Sequence, residues 1–454
     1  MNKDNRIRSS LIEKVSSYIS QGGEAELPSG VIKKAKHHIL DTMAAIVSGS
    51  KLKPGQVVKK YIKAQAGVEE AQVIASNMVT SAINAAFANG VMAHADETDD
   101  NHSRSKIHPG CAIVPAALSL SEREGVDGMD FLRAVVVGYD IGCRMTHALG
   151  DKMPHSTNVI GAGFGAAAAA AAVLRLNEDL VRYVLSYTAQ QASGYWYWAR
   201  DEEHMEKAFV FGGMTARNAV TSAILMQTGF TGVSDPFTGE HNFFEAFSPN
   251  CRPELLGEGL GSHYEIMLTN IKKFSVGGPI QAPLEALLLL MEKHGITSKN
   301  VQSICARLPE WGARTVNNRD IPDINLQYIL AVTLLDGNLT FEKARSFEDM
   351  KAPAVLQMEK CITLIGDPEL NDPKALRQAI VEVTTRDGAN FREHIVHVPG
   401  MAENPMTTEE VEKKCRGLFI PFLGEDRSQK LINMIWNLEQ VRNVHELRPL
   451  LSAS

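Results

Sequence analysis

No two cysteines in this chain stand at metal-binding or redox spacing. The six, Cys111, Cys143, Cys251, Cys305, Cys361 and Cys415, lie far apart, with no CxxC and no His/Cys pair at zinc or cluster spacing. That argues against an iron–sulfur centre and predicts reduced thiols in a cytosol. Strong charge of one sign is also missing. The chain carries 46 Lys and Arg against 53 Asp and Glu, a net charge of −7, with the basic residues scattered. Nucleic acid is therefore a poor partner and a small molecule a better one. No apolar run free of charge reaches the ~18 residues that span a bilayer, and the opening MNKDNRIRSSLIEK has no apolar stretch of signal-peptide type. A soluble, cytoplasmic protein that binds no membrane is expected.

What is present is enough for two cores: 454 residues, 44% of them hydrophobic. Up to Lys272 the pattern is helical. Pro28-Ser29 reads as a start, and Val31, Ile32, Ala35, Ile39, Leu40, Met43 and Ile46 recur at helical spacing, an amphipathic helix on a core. Helices are also expected over 80–95, 113–124 and 131–149. GAGFGAAAAAAAVLRL, 161–176, lacks the preceding strand and following acid of a dinucleotide loop and reads as a buried helix between close neighbours. After Lys272 come alternating runs at 301–308 and 379–385, the second continuing through Asp387-Gly388 into 391–398, an Asp-Gly hairpin signal. Helices are expected at 327–335 and 354–364. From Thr407-Thr408-Glu409-Glu410 the chain is helical again. The fold class is thus mainly α with an α+β insertion: a helical domain over 1–272, an α+β lid over 273–400 with hinges at its junctions, and terminal helices over 401–454 that return to the first domain.

The densest chemistry lies in MAHADETDDNHSRSKIHPGCAIVP, 92–115, which sets His94, Glu97, Asp99, Asp100, His102, Arg104, Lys106 and His108 between two alanine-rich segments. Burying so many ionisable groups costs too much for core filler, so a polar cleft is expected. His108-Pro109-Gly110 stiffens the backbone after the run, proline by its locked φ and glycine by its tolerance of positive φ. A histidine held there serves as an acid or base near neutral pH. Pro154-His155-Ser156-Thr157 leads into a helix N-terminus, where N–H groups hold anions. Tyr195, Trp196, Tyr197 and Trp198 cannot all face one core, so some line a pocket or an interface.

In their order these motifs resemble the MmgE/PrpD family, whose members include 2-methylcitrate dehydratase, cis-aconitate decarboxylase and iminodisuccinate epimerase. HADETDD at 94–100 looks like the family's acidic signature, with Glu97 for its first aspartate and Thr98 for its aromatic residue, and is followed by His108-Pro109. Asn101 stands where relatives often have a hydroxyl. His155, Lys207, Lys272 in a Lys272-Lys273-Phe274-Ser275 turn, and Tyr328 in LQYILAVTLLDG match further family positions, with Ile324 where the family has a histidine.

The resemblance implies a homodimer without metal or organic cofactor. It also implies a helical domain with an α+β lid, and a site at the cleft between them. The implied activity is a lyase, dehydratase or decarboxylase, on a small di- or tricarboxylate, with an epimerase at a carboxylate-bearing stereocentre and an inactive helical binding protein as alternatives. It gives His108 and His155 proton transfer, Lys207 and Lys272 or Lys273 the clamping of carboxylates, and Tyr328 a proton or hydrogen bond. Glu97, Asp99, Asp100, Asn101 and Lys106 would orient these groups or touch substrate. Beside carboxylates His108 would be the better acid and, at a helix N-terminus, His155 the better base. His94 and His102 would have no catalytic role.

Overall fold

The computed structural model describes residues 10–150 and 155–453. They form two compact units: unit 1 draws on Met1–Ala95, Asp99–Asn270 and Thr407–Ser454, and unit 2 on Asp96–Thr98 and Ile271–Met406. Asp96–Thr98 carries no sequence signal for unit 2. It is held there because Asp96 and Thr98 bond Arg345 and Glu97 bonds Lys272.

Unit 1 is helical. Pro28 precedes the helix Ser29–Gly49, in which every residue from Ala35 to Gly49 is buried. The expected amphipathic helix on a core is in fact threaded through the interior. Its charged residues find partners there: Lys36 bonds Trp436 O and Glu439, His38 Nδ1 bonds Asp100, and Asp41 Oδ1 bonds Lys414. Thr407 starts the helix Thr408–Leu423 with the reciprocal cap its TTEE sequence predicts, Thr407 accepting from Glu410 N–H while the Glu410 carboxylate accepts from Thr407 N–H. Among the described residues no helix is long and apolar enough to cross a membrane.

The alanine-rich run forms the helix Thr157–Val173, with Ala166–Ala172 all buried. It lies backbone to backbone against Gly128–Leu149. A Cβ on Gly142 would stand 2.8 Å from Gly161 O, and one on Gly165 2.6 Å from Gly138 O and 2.8 Å from Ile113 Cδ1. Glycine is needed at these crossings because no side-chain volume is available.

In unit 2 strands β3 (Val301–Leu308), β4 (Ile362–Gly366), β5 (Ala379–Thr385) and β6 (Asn390–Ile395) make a sheet in the order β4-β3-β5-β6. The numbering follows two short strands of unit 1, β1 (Ala71–Gln72) and β2 (Val79–Thr80). Strand β3 runs parallel to β4 and antiparallel to β5, and β5 pairs with β6 through the Asp387-Gly388 turn, where Gly388 has φ +89°. The helix expected over 354–364 stops early, at Pro353–Glu359, and Ile362–Gly366 is a strand. Its five residues find a ladder on β3, and that pairing overrides their continuation of the helical pattern. Ile304, Ala306, Val381 and Val383 of the sheet pack with Leu284, Leu287, Ile329 and Leu330 in one core.

The helix seam generates a prediction whose sign runs against propensity. Alanine in place of a helical glycine is ordinarily stabilising by about 0.5–1 kcal/mol, whereas overpacking a tight contact costs roughly 1–3 kcal/mol. Gly165→Ala should therefore lower the unfolding free energy in denaturant titration. An unchanged or raised value would contradict the close approach described above.

Candidate active site

The helix Ala82–Ala93 ends at His94, and the turn that follows brings Asp99 back beneath it. Asp99 is fully buried and divides its carboxylate: Oδ2 lies 2.8 Å from His94 Nδ1 and Oδ1 lies 3.0 Å from His108 Nδ1. A carboxylate only accepts, so each imidazole donates Nδ1–H, and in its neutral form carries its lone pair on Nε2. The two rings meet edge to face at 4.8 Å. His94 is buried, stacked on Phe211 at 4.6 Å, and its Nε2 has no hydrogen-bond partner among the described residues. His108 is the more open of the two, and its backbone N–H donates to Asn158 Oδ1 at 2.5 Å. His94 is thus not a bystander: it shares an acceptor with the principal candidate.

Asp100, next in the chain and equally buried, serves the scaffold. Its Oδ2 accepts from Tyr139 OH at 2.6 Å and His38 Nδ1 at 2.7 Å, and its Oδ1 accepts the Gly110 N–H at 2.9 Å, at the start of the helix Gly110–Glu124. Gly110 is not at positive φ, contrary to the expectation. It is glycine because a Cβ would lie 2.5–2.8 Å from Thr42 Oγ1, Asp100 Oδ1 and Tyr139 OH. Burial outweighs the Asp100 bond and holds His38 down to about 4, so it is neutral. Burial likewise lifts Asp41 to about 6 despite Lys414 at 2.5 Å, and burial with Asp100 pushes Tyr139 well up. Tyr139 is thus a core tyrosine whose hydroxyl is satisfied by Asp100.

Lys207 stands in the same unit, its Nζ 5.5 Å from the Phe211 ring centre and 5.8 Å from Trp198. Its turn is capped by Asp201, whose Oδ2 accepts the N–H groups of Glu206 and Lys207, and it runs into a π-helical turn, Phe209–Gly213, that projects Phe211. Of the four consecutive aromatics, Trp198 meets Phe211 at 4.6 Å, while Tyr195, Trp196 and Tyr197 are exposed. His204, at φ +57° and 5.2 Å from the His94 ring, has no sequence signal. His155 enters the helix at Thr157 with its ring 5.0 Å from Phe247 and its Nδ1 buried.

In unit 2, Lys272 is buried and donates to Glu97 O at 2.9 Å and Glu97 Oε2 at 3.2 Å, whereas Lys273 turns to Glu285. Lys272 is therefore the lysine grouped with the acidic signature. Tyr328 is set in the core of the unit, its hydroxyl donated to Lys343 O at 2.5 Å and held above its usual range by burial and by Asp349, Asp336 and Glu359. A proton role would first require that bond to break. Asn101 braces the fold, exchanging backbone bonds with Asn270. Lys106 is exposed at φ +55°, its carbonyl accepting from Thr157 OH.

Two groups of side chains that lie wholly within unit 1 approach metal-ligand distances, His94/Asp99/Cys111 and His102/His147/Glu265. Neither fits. Asp99 spends both oxygens on imidazole N–H groups, and Cys111 donates to His108 O. His102 Nδ1 accepts the Ser105 N–H, which leaves its ring proton on Nε2, facing Glu265 at 3.3 Å. That pairing makes His102, unlike His94, a sound control outside the Asp99 group.

The lowered basicity of His38 has a signed consequence. A histidine ordinarily near 6.5 but held at about 4 contributes stability that is complete above 6.5 and lost as pH falls toward 4. His38→Asn keeps an N–H for Asp100 and abolishes the titration. Between pH 6.5 and 4.5 its unfolding free energy should fall less steeply than that of the parent chain, by about one proton or roughly 1.4 kcal/mol per pH unit. Parallel stability curves would contradict a neutral, buried His38.

Residues 13–256 match the MmgE/PrpD N-terminal domain and residues 274–440 the MmgE/PrpD C-terminal domain. The chain is 26% identical over 471 residues to a cis-aconitate decarboxylase-like protein, oryM, of Aspergillus oryzae, covering 96% of each chain. It is 25% identical over 490 residues to a cis-aconitate decarboxylase of Aspergillus terreus, 99% of this chain and 97% of the relative. To the human cis-aconitate decarboxylase it is 24% identical over 453 residues, 94% and 91%. With both of its domains matched in order, this chain belongs to the MmgE/PrpD family.

Proposed function

We propose that the protein is a lyase, a decarboxylase or dehydratase, acting on a small di- or tricarboxylate by proton transfer at the carbon beside a carboxylate. The observation that carries this reading is Asp99 holding His94 and His108 by their Nδ1–H groups. Removing CO2 from, or water across, the bond next to a carboxylate builds negative charge on carbon, which a proton must quench or a base must create. His108 is oriented for it: with Nδ1 committed to Asp99, Nε2 is the atom that receives or delivers the proton, and Asp99 stabilises the imidazolium formed on receipt. Lys207, lying over the Phe211 and Trp198 rings, supplies positive charge for a substrate carboxylate. His155 remains the second candidate for proton transfer, and Lys272, neutralised in part by Glu97, the second cation. The cis-aconitate decarboxylase names of relatives matched over nearly their whole length support a tricarboxylate of that class.

The experiment is turnover of cis-aconitate, citrate, 2-methylcitrate and aspartate-derived diacids in heavy water, followed by NMR. The expected result is loss of CO2 or water, with deuterium incorporated at the carbon beside a carboxylate. His108→Ala should reduce kcat by about 10²–10⁴-fold, and His102→Ala far less. Equal, small losses in both variants would defeat the assignment of His108. Deuterium returning to unreacted substrate with inversion and no new product would make the protein an epimerase.

A further inference from the structure

Unit 2 groups four cations close to the family's acidic signature or the turn that follows it, and three of them are neutralised within the unit. Lys272 has Glu97 at 3.2 Å, Lys273 has Glu285 at 2.7 Å, and Arg345 bonds Asp96 and Thr98 while lying over the Phe341 ring. Arg377 is the fourth. It precedes β5, is half-buried, and among the described residues makes no hydrogen bond or ion pair. The carboxylate that acts on it is Glu97, already bonded to Lys272. The guanidinium lies flat on Gly278: a Cβ there would fall 2.3 Å from Nη1, 2.7 Å from Cζ and 3.2 Å from Nη2. Gly278 opens a turn that leads into the helix Gln281–His294 and has no side-chain cap. A helix start is a place where a cation is disfavoured and an anion welcome. Burial pulls the guanidinium down to about 10 and Glu97 opposes that only in part, so the charge is held without a hydrogen-bonded counter-ion in the unit.

A charge held this way has a use when its counter-ion arrives from outside. We infer that Arg377 is a carboxylate-binding residue, its planar fork receiving one carboxylate of a small polycarboxylate, with Gly278 supplying the flat floor on which the fork rests. The planar guanidinium matches the two oxygens of a carboxylate in a bidentate pair, which a lysine ammonium cannot reproduce. The ligand class rests on the function proposed above, but the cation does not: its lack of a partner is a property of unit 2.

The test uses the full chain and a saturated tricarboxylate, tricarballylate, which offers no double bond or hydroxyl to react. Binding is measured by calorimetry for the parent, Arg377→Gln, Arg377→Lys and Gly278→Ala, with butyrate and inorganic phosphate as comparisons. The parent should bind tricarballylate. Arg377→Gln should weaken it by about tenfold or more. Arg377→Lys should lie between, and Gly278→Ala, which keeps the charge but displaces the fork, should weaken it too. Thermal unfolding separates binding from structure: an arginine with no hydrogen bond or ion pair gives up no polar partner, so the Tm of Arg377→Gln should equal or exceed that of the parent.

Tricarballylate binding equally tight in Arg377→Gln and the parent, or no binding to the parent, overturns the inference. So does a clear fall in Tm, which would make Arg377 structural. Preference for phosphate over tricarballylate overturns the carboxylate assignment. Turnover of a polycarboxylate with the same KM in parent and Arg377→Gln would sink the role of Arg377 while leaving the proposed function standing. Arg377-dependent binding without turnover of any substrate in the panel would do the reverse.

Discussion

Two adjacent carboxylates, Asp99 and Asp100, both fully buried, are the constraint from which the rest of unit 1 follows. Neighbouring buried anions are tolerable only when each is saturated with donors, because an unpaired one costs several kcal/mol. Alternation along the chain sends them to different partners. Asp100 takes Tyr139, His38 and the Gly110 N–H, and so ties two helices to the start of a third, just after His108. Asp99 takes two histidines, one on each oxygen. The same pair of residues thus separates the structural demand from the chemical one.

The surroundings divide in the same way. Around Asp100, burial drives groups to their neutral forms: His38 is held at about 4 and Tyr139 is pushed up. Neutral partners suit a scaffold because they remove charge that would otherwise need counter-ions in the interior. Around Asp99 the neighbours are aromatic faces and a lysine, with Phe211 touching His94 and lying beneath Lys207. Phe211 reaches them from a π-helical turn, a local departure from α geometry that re-aims a side chain. Unit 2 repeats the contrast between saturated and unsaturated charge, in Lys272, Lys273 and Arg345 against Arg377.

Much of this is legible in the sequence, for reasons that can be stated residue by residue. The polar run at 94–108 could not be core filler: its carboxylates are buried and paired, while Arg104 and Lys106 at its end are exposed. The Thr407 cap, the Asp387-Gly388 turn and the alanine helix carry local signals that tertiary contacts do not override. Other features had no local signal. Ile362–Gly366 is too short to outweigh the helix before it until β3 offers a ladder. Gly110 could be recognised as special but not for the right reason, since the obstacle is three side-chain oxygens from distant segments. His38 was detectable in principle, as one of two consecutive histidines in an apolar helical stripe. His204 and Arg377 were not, because a lone histidine in a charged loop and a lone arginine before a strand are ordinary until the fold shows what surrounds them.

The central claim is that Asp99 fixes the tautomer of both His94 and His108, leaving each lone pair on Nε2. Nitrogen-15 NMR of the histidine side chains reads this directly, without knowledge of the substrate. With imidazoles assigned by single substitution, both residues should show protonated Nδ1 and unprotonated Nε2 near pH 7.5, and the pattern should be lost for both in Asp99→Ala. A parent chain whose His108 carries its proton on Nε2, with Nδ1 bare, would contradict the account.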